Sequence, residues 1–387
     1  MWRNDTSIPF SLSDIIDLMT KPSESLPIID EQKIGAHLKF HGLSGPEIDA
    51  ELVDIEKSGG LPAEILRWWR GDAHTHSAES TREGFNYPEG LYHYEEILYY
   101  YEMLGLDFVC FTEHASLPQS PCVQEPTSAI SQSLLEHTKR IHNLRKELSG
   151  KYRCLPFAGV EANIMYEGEK PRIDIPDEVL AELDFVIASR HRVPEEKRTE
   201  LGDIRESLSS AIVNPYVNVI GHPDRDIQTK TEDPRAAEAY WQMWKELLGE
   251  MRLKNKAFEI NLKAQPDPKL VQMAADMGVK FFLNFDAHEF NQFLNYGDPS
   301  SITTEQRKAD AQKYAWASGS ASEDDLSDLA IYKEEKLAQG PGVIPILRLT
   351  RWIKYLETIG VDPRQVVNSS RENFLAFLHG NSETQTA

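Results

Sequence analysis

Seven short apolar runs in this 387-residue chain end in His, Asp or Glu, from Asp72-Ala-His74-Thr-His76 to Asp286-Ala-His288. Imidazole nitrogen and carboxylate oxygen suit zinc, manganese and iron. Residues two apart on a strand face the same side, so His74 and His76 can chelate one ion together. Asp286 and His288 repeat that spacing at the last run. Between them stand Glu113-His114, Glu161, His191 and His222, each closing a run such as Phe-Val-Cys-Phe-Thr. Taken singly, His191 or His222 reads as a satisfied core histidine, but the series in order predicts a metal-dependent hydrolase. His93, His137, His142 and His379 fall in helix-like stretches, and His37 and His41 in the leader; all six read as packing or surface residues.

Residues so far apart converge if the strand ends share one face, as they do in a parallel barrel. Strand patterns occupy 70–76, 107–114, 153–161, 184–191, 217–222, 257–262 and 279–288. Helical patterns fill the intervals at 91–104, 129–148, 176–183, 198–213, 236–254 and 268–277, an alternation typical of βα units. Gly105 and Gly278 sit where helices should stop. The expected class is α/β, a distorted seven-stranded TIM-like (βα) barrel. Its parts are a helical N-terminal extension over 1–69, a metal-binding core over 70–290, an insertion or lid over 291–342, and final helices over 343–387. The leader reads as short helices at 11–19, 46–57 and 62–69, and its Trp68-Trp69 pair as packing for the barrel's base or rim.

Composition narrows the partners. The formal charge is −21, from 62 acidic and 41 basic residues, which opposes sequence-independent binding to nucleic-acid backbones. A nucleotide substrate stays compatible, because bound cations invert the local field. Cys110, Cys122 and Cys154 form no metal-type spacing and cannot all pair, which suggests a reduced, cytoplasmic chain. The start lacks a basic segment followed by an apolar core, and no run approaches the ~18 apolar residues of a membrane span.

The motifs Gly71-Asp-Ala-His-Thr-His-Ser77, Phe111-Thr-Glu-His114, Gly159-Val-Glu161, Ser189-Arg-His191, Ile220-Gly-His-Pro-Asp224, Phe258-Glu-Ile-Asn261 and Asp286-Ala-His288 resemble, in order, those of the PHP (polymerase and histidinol phosphatase) family. The resemblance covers about residues 70–290 and, more weakly, the tail Val366-Val-Asn-Ser-Ser-Arg-Glu-Asn-Phe-Leu-Ala-Phe-Leu378. It implies two or three divalent ions (Zn, Mn or Fe) at the C-terminal face. One would take His74, His76, Glu161 and Asp286; a second would share Glu161 and use His191 and His222; a third would draw on His114 and His288. The chain departs from the family around the third ion, where Arg82 stands near an expected ligand. Either Glu79 or Glu83 substitutes there, or that site is weak or empty. Glu113 replaces a more usual Asp. Glu259 reads either as a hydrogen-bond partner of a ligand or substrate hydroxyl, or as a buried structural carboxylate paired with an Arg.

Two ions roughly 3.5–4 Å apart can lower the pKa of a water and neutralise phosphoryl oxygens. The expected reaction is hydrolysis of a small phosphomonoester by in-line attack of metal-bound hydroxide, with Asp286 or His288 relaying a proton to the leaving group. Arg192, Arg225 and, third, Arg82 are candidates for holding phosphate; Arg190 also flanks a ligand. Each reads equally well as a salt-bridge partner of a local acid. The alternatives are an amidohydrolase-type deaminase or amidase, a PHP-type nuclease, and a non-catalytic metal-binding module.

Overall fold

A computed structural model describes residues 61, 63–77, 94–114, 128–191, 193–194, 197–225, 227, 234–264, 266–287 and 343–385. The leader helices expected at 11–19 and 46–57, the insertion at 291–342, and Cys122, His37, His41 and His93 lie outside them.

The strands are β1 (Gly71–Thr75), β2 (Phe108–His114), β3 (Leu155–Glu167), β4 (Lys170–Ile173), β5 (Phe185–Ser189), β6 (Val219–Ile220), β7 (Ala257–Asn261) and β8 (Lys280–Asn284). Seven of them pair in parallel in the order β1-β2-β3-β5-β6-β7-β8, forming the anticipated barrel. The helices are α1 (Ala63–Leu66), α2 (Tyr94–Leu104), α3 (Ser128–Leu148), α4 (Asp177–Leu180), α5 (Leu201–Val213), α6 (Pro234–Leu253), α7 (Pro268–Asp276), α8 (Val343–Thr358) and α9 (Arg371–Gln385). None among the described residues is long and apolar enough to cross a membrane.

The outer helices bury one face each, as their 3.6-residue periodicity requires. On α6 that face carries Tyr240, Met243, Trp244, Leu247, Leu248 and Met251. Asp267 caps α7 by accepting from the Lys269 N–H at 2.8 Å. Gly105 and Gly278 take left-handed φ values of 87° and 73° just beyond α2 and α7, a conformation that favours residues without a Cβ.

One element was not anticipated. β3 continues past Glu161 to Glu167, turns at Gly168 and returns as antiparallel β4, pairing Ile164 with Ile173. The turn residues are visible in the sequence, but the ligand at Glu161 drew the expected boundary in too early.

Inside the barrel, Ala73, Phe108, Cys110, Phe157, Phe185, Ile187, Val219 and Phe282 pack against Val367, Phe374 and Phe377. The tail therefore plugs the end opposite the ligands, with Phe374 stacked on Phe108 at 4.3 Å. Trp68 and Trp69 are buried in the layer between barrel and helices, Trp69 edge-on to Phe285 at 4.8 Å. His137 is buried against the Tyr94 hydroxyl and the Phe111 carbonyl, His142 contacts Asp184, and His379 is exposed.

The seam between β1 and β8 has a distinctive closure. At the ligand end, Thr75 bridges Ala287, with the His76 N–H donating to the Ala287 carbonyl at 2.8 Å and the Ala287 N–H to that of His74 at 3.1 Å. Below, buried amide side chains take over. Asn368 Nδ2 donates to the carbonyls of Gly71 (2.8 Å) and Leu283 (2.6 Å), and its Oδ1 accepts from the Leu283 N–H. Asn284 Oδ1 accepts from the Ala73 N–H at 3.1 Å. Removing the Asn368 amide strands several buried backbone groups, each costly to leave unpaired. Asn368→Ala should therefore lower unfolding stability by about 2–4 kcal/mol in urea denaturation; wild-type stability would contradict this view of the seam.

Candidate metal centre

Every candidate ligand on a described residue stands at the C-terminal mouth of the barrel. The β2–β3 register sets His114 beside Glu161. His191, His222 and Asp286 each follow their strand's last residue by two positions. His222 and Asp286 hold left-handed φ values of 24° and 55°, which cost of order 1 kcal/mol each and tend to concentrate at functional sites. Gly221 is required beside His222, since a Cβ there would meet Ser189 Oγ at 2.3 Å and Ile187 Cγ2 at 2.7 Å.

Glu161 is the hub. Its Oε2 lies 3.2 Å from His74 Nε2, 3.5 Å from His76 Nε2 and 3.2 Å from His114 Nδ1. Its Oε1 faces His222 Nε2 at 3.0 Å and His191 Nε2 at 3.4 Å. Asp286 Oδ1 completes the first nest at 3.7 Å from His74 Nε2 and 3.5 Å from His76 Nε2. Ligand atoms of His74, His76 and Glu161 all lie within 4.8 Å of one another, as do those of His114, Glu161 and His191. His114 thus joins Glu161 and His191, whereas the resemblance places it with His288, which lies outside the described residues together with Arg192, Glu79, Glu83 and Arg82.

Glu259 is wholly buried and engages His74 Nδ1 at 2.7 Å. It also accepts from the His222 N–H at 2.7 Å and from Asn284 Nδ2 at 2.9 Å. A carboxylate at Nδ1 fixes a proton there and turns Nε2 outward. Nε2 confronts Glu161 and Asp286, so positive charge suits the space between them, whether a proton on Nε2 or a metal cation in its place. The second nest behaves similarly: His191 Nε2 and His222 Nε2 approach to 3.0 Å with Glu161 Oε1 beside both. These residues fit divalent metal ions.

Electrostatics agree with a cation nest. Burial opposes charge on Glu161, yet His191, His74 and His114 outweigh it and hold the carboxyl well below its usual range. Burial likewise opposes protonation of His74, but Glu259, Glu161 and Asp286 raise its pKa well above the ordinary value. Burial, then His114, pushes His76 down to about 4, and burial takes His191 down to about 3. Asp72, beneath the pair and bonded to the Tyr101 hydroxyl at 2.6 Å, is raised by burial to about 7.

No family model matches the chain. Over 198 residues it is 30% identical to a probable phosphatase of Caldicellulosiruptor bescii, covering 50% of this chain and 72% of that relative. The chain belongs to the PHP family of metal-dependent phosphoesterases. A second PHP-type relative is the DNA polymerase/3'-5' exonuclease PolX of Bacillus subtilis, 28% identical over 265 residues, which are 67% of this chain and 41% of that one. Among solved structures, histidinol phosphate phosphatase from Lactococcus lactis, complexed with zinc, L-histidinol and phosphate, aligns at 20% identity and a TM-score of 0.32 over 54% of this chain and 79% of that one.

Other residues of this PHP chain were expected near the site. Glu113 holds Ser77, accepting from its N–H and, at 2.5 Å, its hydroxyl. Arg190 is buried and donates to Ser207 Oγ and the Lys197 carbonyl. Arg225 is exposed in the turn after His222 and counts among the groups opposing protonation of His191, after burial. Roles for Ser189, Asn261 and Lys263 escaped sequence reasoning. Ser189 Oγ donates to Glu161 at 2.6 Å, and Asn261 Nδ2 contacts Asp286 Oδ2 at 3.4 Å. Lys263 Nζ lies 3.5 Å from that same oxygen. The available signal for Lys263 was its position two residues beyond Asn261, the offset that also carries His191, His222 and Asp286 past their strands.

Two outcomes are expected. Glu259→Gln, which weakens the hold on His74, should lower metal affinity roughly 10- to 100-fold by competition with a chelating dye; unchanged affinity would remove Glu259 from ligand support. His76 is neutral when folded down to about 4, whereas an unfolded imidazole titrates near 6.5. Its neutral form therefore contributes stability above about 6.5 that is lost as pH falls through the folded value. In metal-free protein, the Tm advantage of wild type over His76→Gln should shrink between pH 7.5 and 4.5.

Proposed function

We propose that this protein hydrolyses a small phosphomonoester at a centre of two divalent ions, with His74, His76, Glu161 and Asp286 holding one and Glu161, His191, His222 and His114 surrounding the other. The observation that carries the reading is Glu161 standing between five imidazoles, with Oε2 turned to His74, His76 and His114 and Oε1 to His191 and His222, so that one carboxylate spans both nests. The name of the Caldicellulosiruptor relative, probable phosphatase, supports the same reaction class. A third ion, with His288 and Glu79 or Glu83, belongs to the proposal only as an extension.

Divalent ions bound here would supply an acidified water and neutralise phosphoryl oxygens. The chain's own residues do the rest. Glu259, at His74 Nδ1, holds that ring so that it presents Nε2 to the nest. Ser189 and the imidazoles orient Glu161 so that its carboxylate spans the two nests. Asp286, through Oδ2, is the described carboxylate best placed to carry a proton to the departing alkoxide, with His288 as the second candidate. Arg225, exposed at the rim, and Arg192 are offered as phosphate-binding guanidiniums.

Protein loaded with zinc or manganese should release inorganic phosphate from a panel of small phosphomonoesters. His76→Ala and Asp286→Ala should each reduce kcat/KM by roughly a thousandfold or more, since each removes a ligand of the ion that stabilises the transition state. Activity untouched by both substitutions would sink the reading. The PolX alignment favours a nuclease as a second reading, against which the net charge of −21 weighs. Mononucleotide release from a single-stranded oligonucleotide, faster than phosphate release from the panel, would select it.

A further inference from the structure

We infer that Lys263 binds the phosphate group of the substrate, an inference that rests on the phosphomonoesterase reading above. The chain builds this lysine into the mouth. Asn261, buried at the end of β7, accepts through Oδ1 from the N–H groups of Lys263 (3.0 Å) and Ala264 (2.8 Å), a side-chain-closed turn of the kind Asn favours. The amide nitrogen of the same Asn261 reaches Glu259 Oε2 at 3.3 Å and Asp286 Oδ2 at 3.4 Å. The turn presenting Lys263 is thereby tied to the residues that orient the metal ligands.

Position and charge then assign the role. Lys263 Nζ lies 3.5 Å from Asp286 Oδ2, while Oδ1 of that carboxylate faces His74 and His76. The ammonium is one carboxylate's width from the first nest, and its side chain keeps 25% exposure, so solvent and ligand can reach it. A phosphate entering this mouth meets the carboxylates of Glu161 and Asp286 and needs positive charge beyond that of the ions. Arg190, one of the two arginines adjacent to His191 in sequence, is turned to Ser207 and the Lys197 carbonyl. An ammonium on a long stem holds phosphate as a compact point charge and can swing from Asp286 to an incoming oxygen.

The competing role is a salt bridge that only positions Asp286, and the two differ in what they move. Inorganic phosphate would be titrated calorimetrically into the metal-loaded wild type, Lys263→Met and Lys263→Arg, with metal content and steady-state kinetics measured on each. Phosphate affinity should weaken roughly 10- to 100-fold in Lys263→Met, the range for a lost charged hydrogen bond. KM should rise in parallel while kcat changes less than about threefold, metal content should stay at the wild-type value, and Lys263→Arg should recover part of the affinity. Unchanged phosphate affinity in Lys263→Met overturns the inference, as does a loss of metal that accounts for the weakened binding. A wild type that binds phosphate through Lys263 but hydrolyses no phosphomonoester overturns the reading of function and leaves the anion site standing. A wild type that hydrolyses phosphomonoesters while Lys263→Met binds and turns over normally overturns the lysine assignment alone.

Discussion

The architecture of the mouth depends on one buried carboxylate. Glu161 sits at the centre of the barrel's open end with imidazoles of five histidines around its two oxygens. A charged group removed from water is costly unless it is paired. With His74 held by Glu259 and His76 and His191 kept neutral by burial, the arrangement gathers more acceptor atoms than donors around Glu161. Cations answer that arrangement, so burial and ligation are two sides of the same constraint.

That constraint reaches down the barrel through buried amides. Asn284 joins the β1 backbone at Ala73 to Glu259, and Asn368, on the plug, joins β1 to β8 and approaches Asn284 Oδ1 at 3.4 Å. A polar chain therefore runs from the aromatic plug through the seam to the Nδ1 proton of His74. Seam closure and ligand orientation use the same side chains. This links a tail remote from the mouth to the geometry of the first nest, and gives the plug a role beyond covering Phe108 and Phe282.

Much of this was legible in advance, for identifiable reasons. The seven parallel strands were marked by apolar runs with a ligand at or just past the end, and the helices by one apolar face each. Glu161 and the histidines stood out because their residue types are rare at such positions. The β3–β4 hairpin was missed because a functional residue was taken for a strand boundary. Lys263 was missed because it lies in a turn, where the periodicity that flags strands and helices is absent, and because a lone lysine is the commonest kind of surface residue. Arg190 and Arg225 both flank proposed ligands in sequence, yet one is buried against Ser207 and the other is exposed.

By itself, then, the sequence determined the order of βα units, the plug's apolar character and the identity of the metal-type donors, all of which follow from local periodicity and residue chemistry. The tertiary structure decided the partition: which Glu161 oxygen meets which imidazole, that His114 joins His191, that Glu259 pairs with His74 rather than with an arginine, and that Lys263 meets Asp286. These are contacts between strands tens to hundreds of residues apart. Strand register and barrel closure set them, and no local pattern encodes either one.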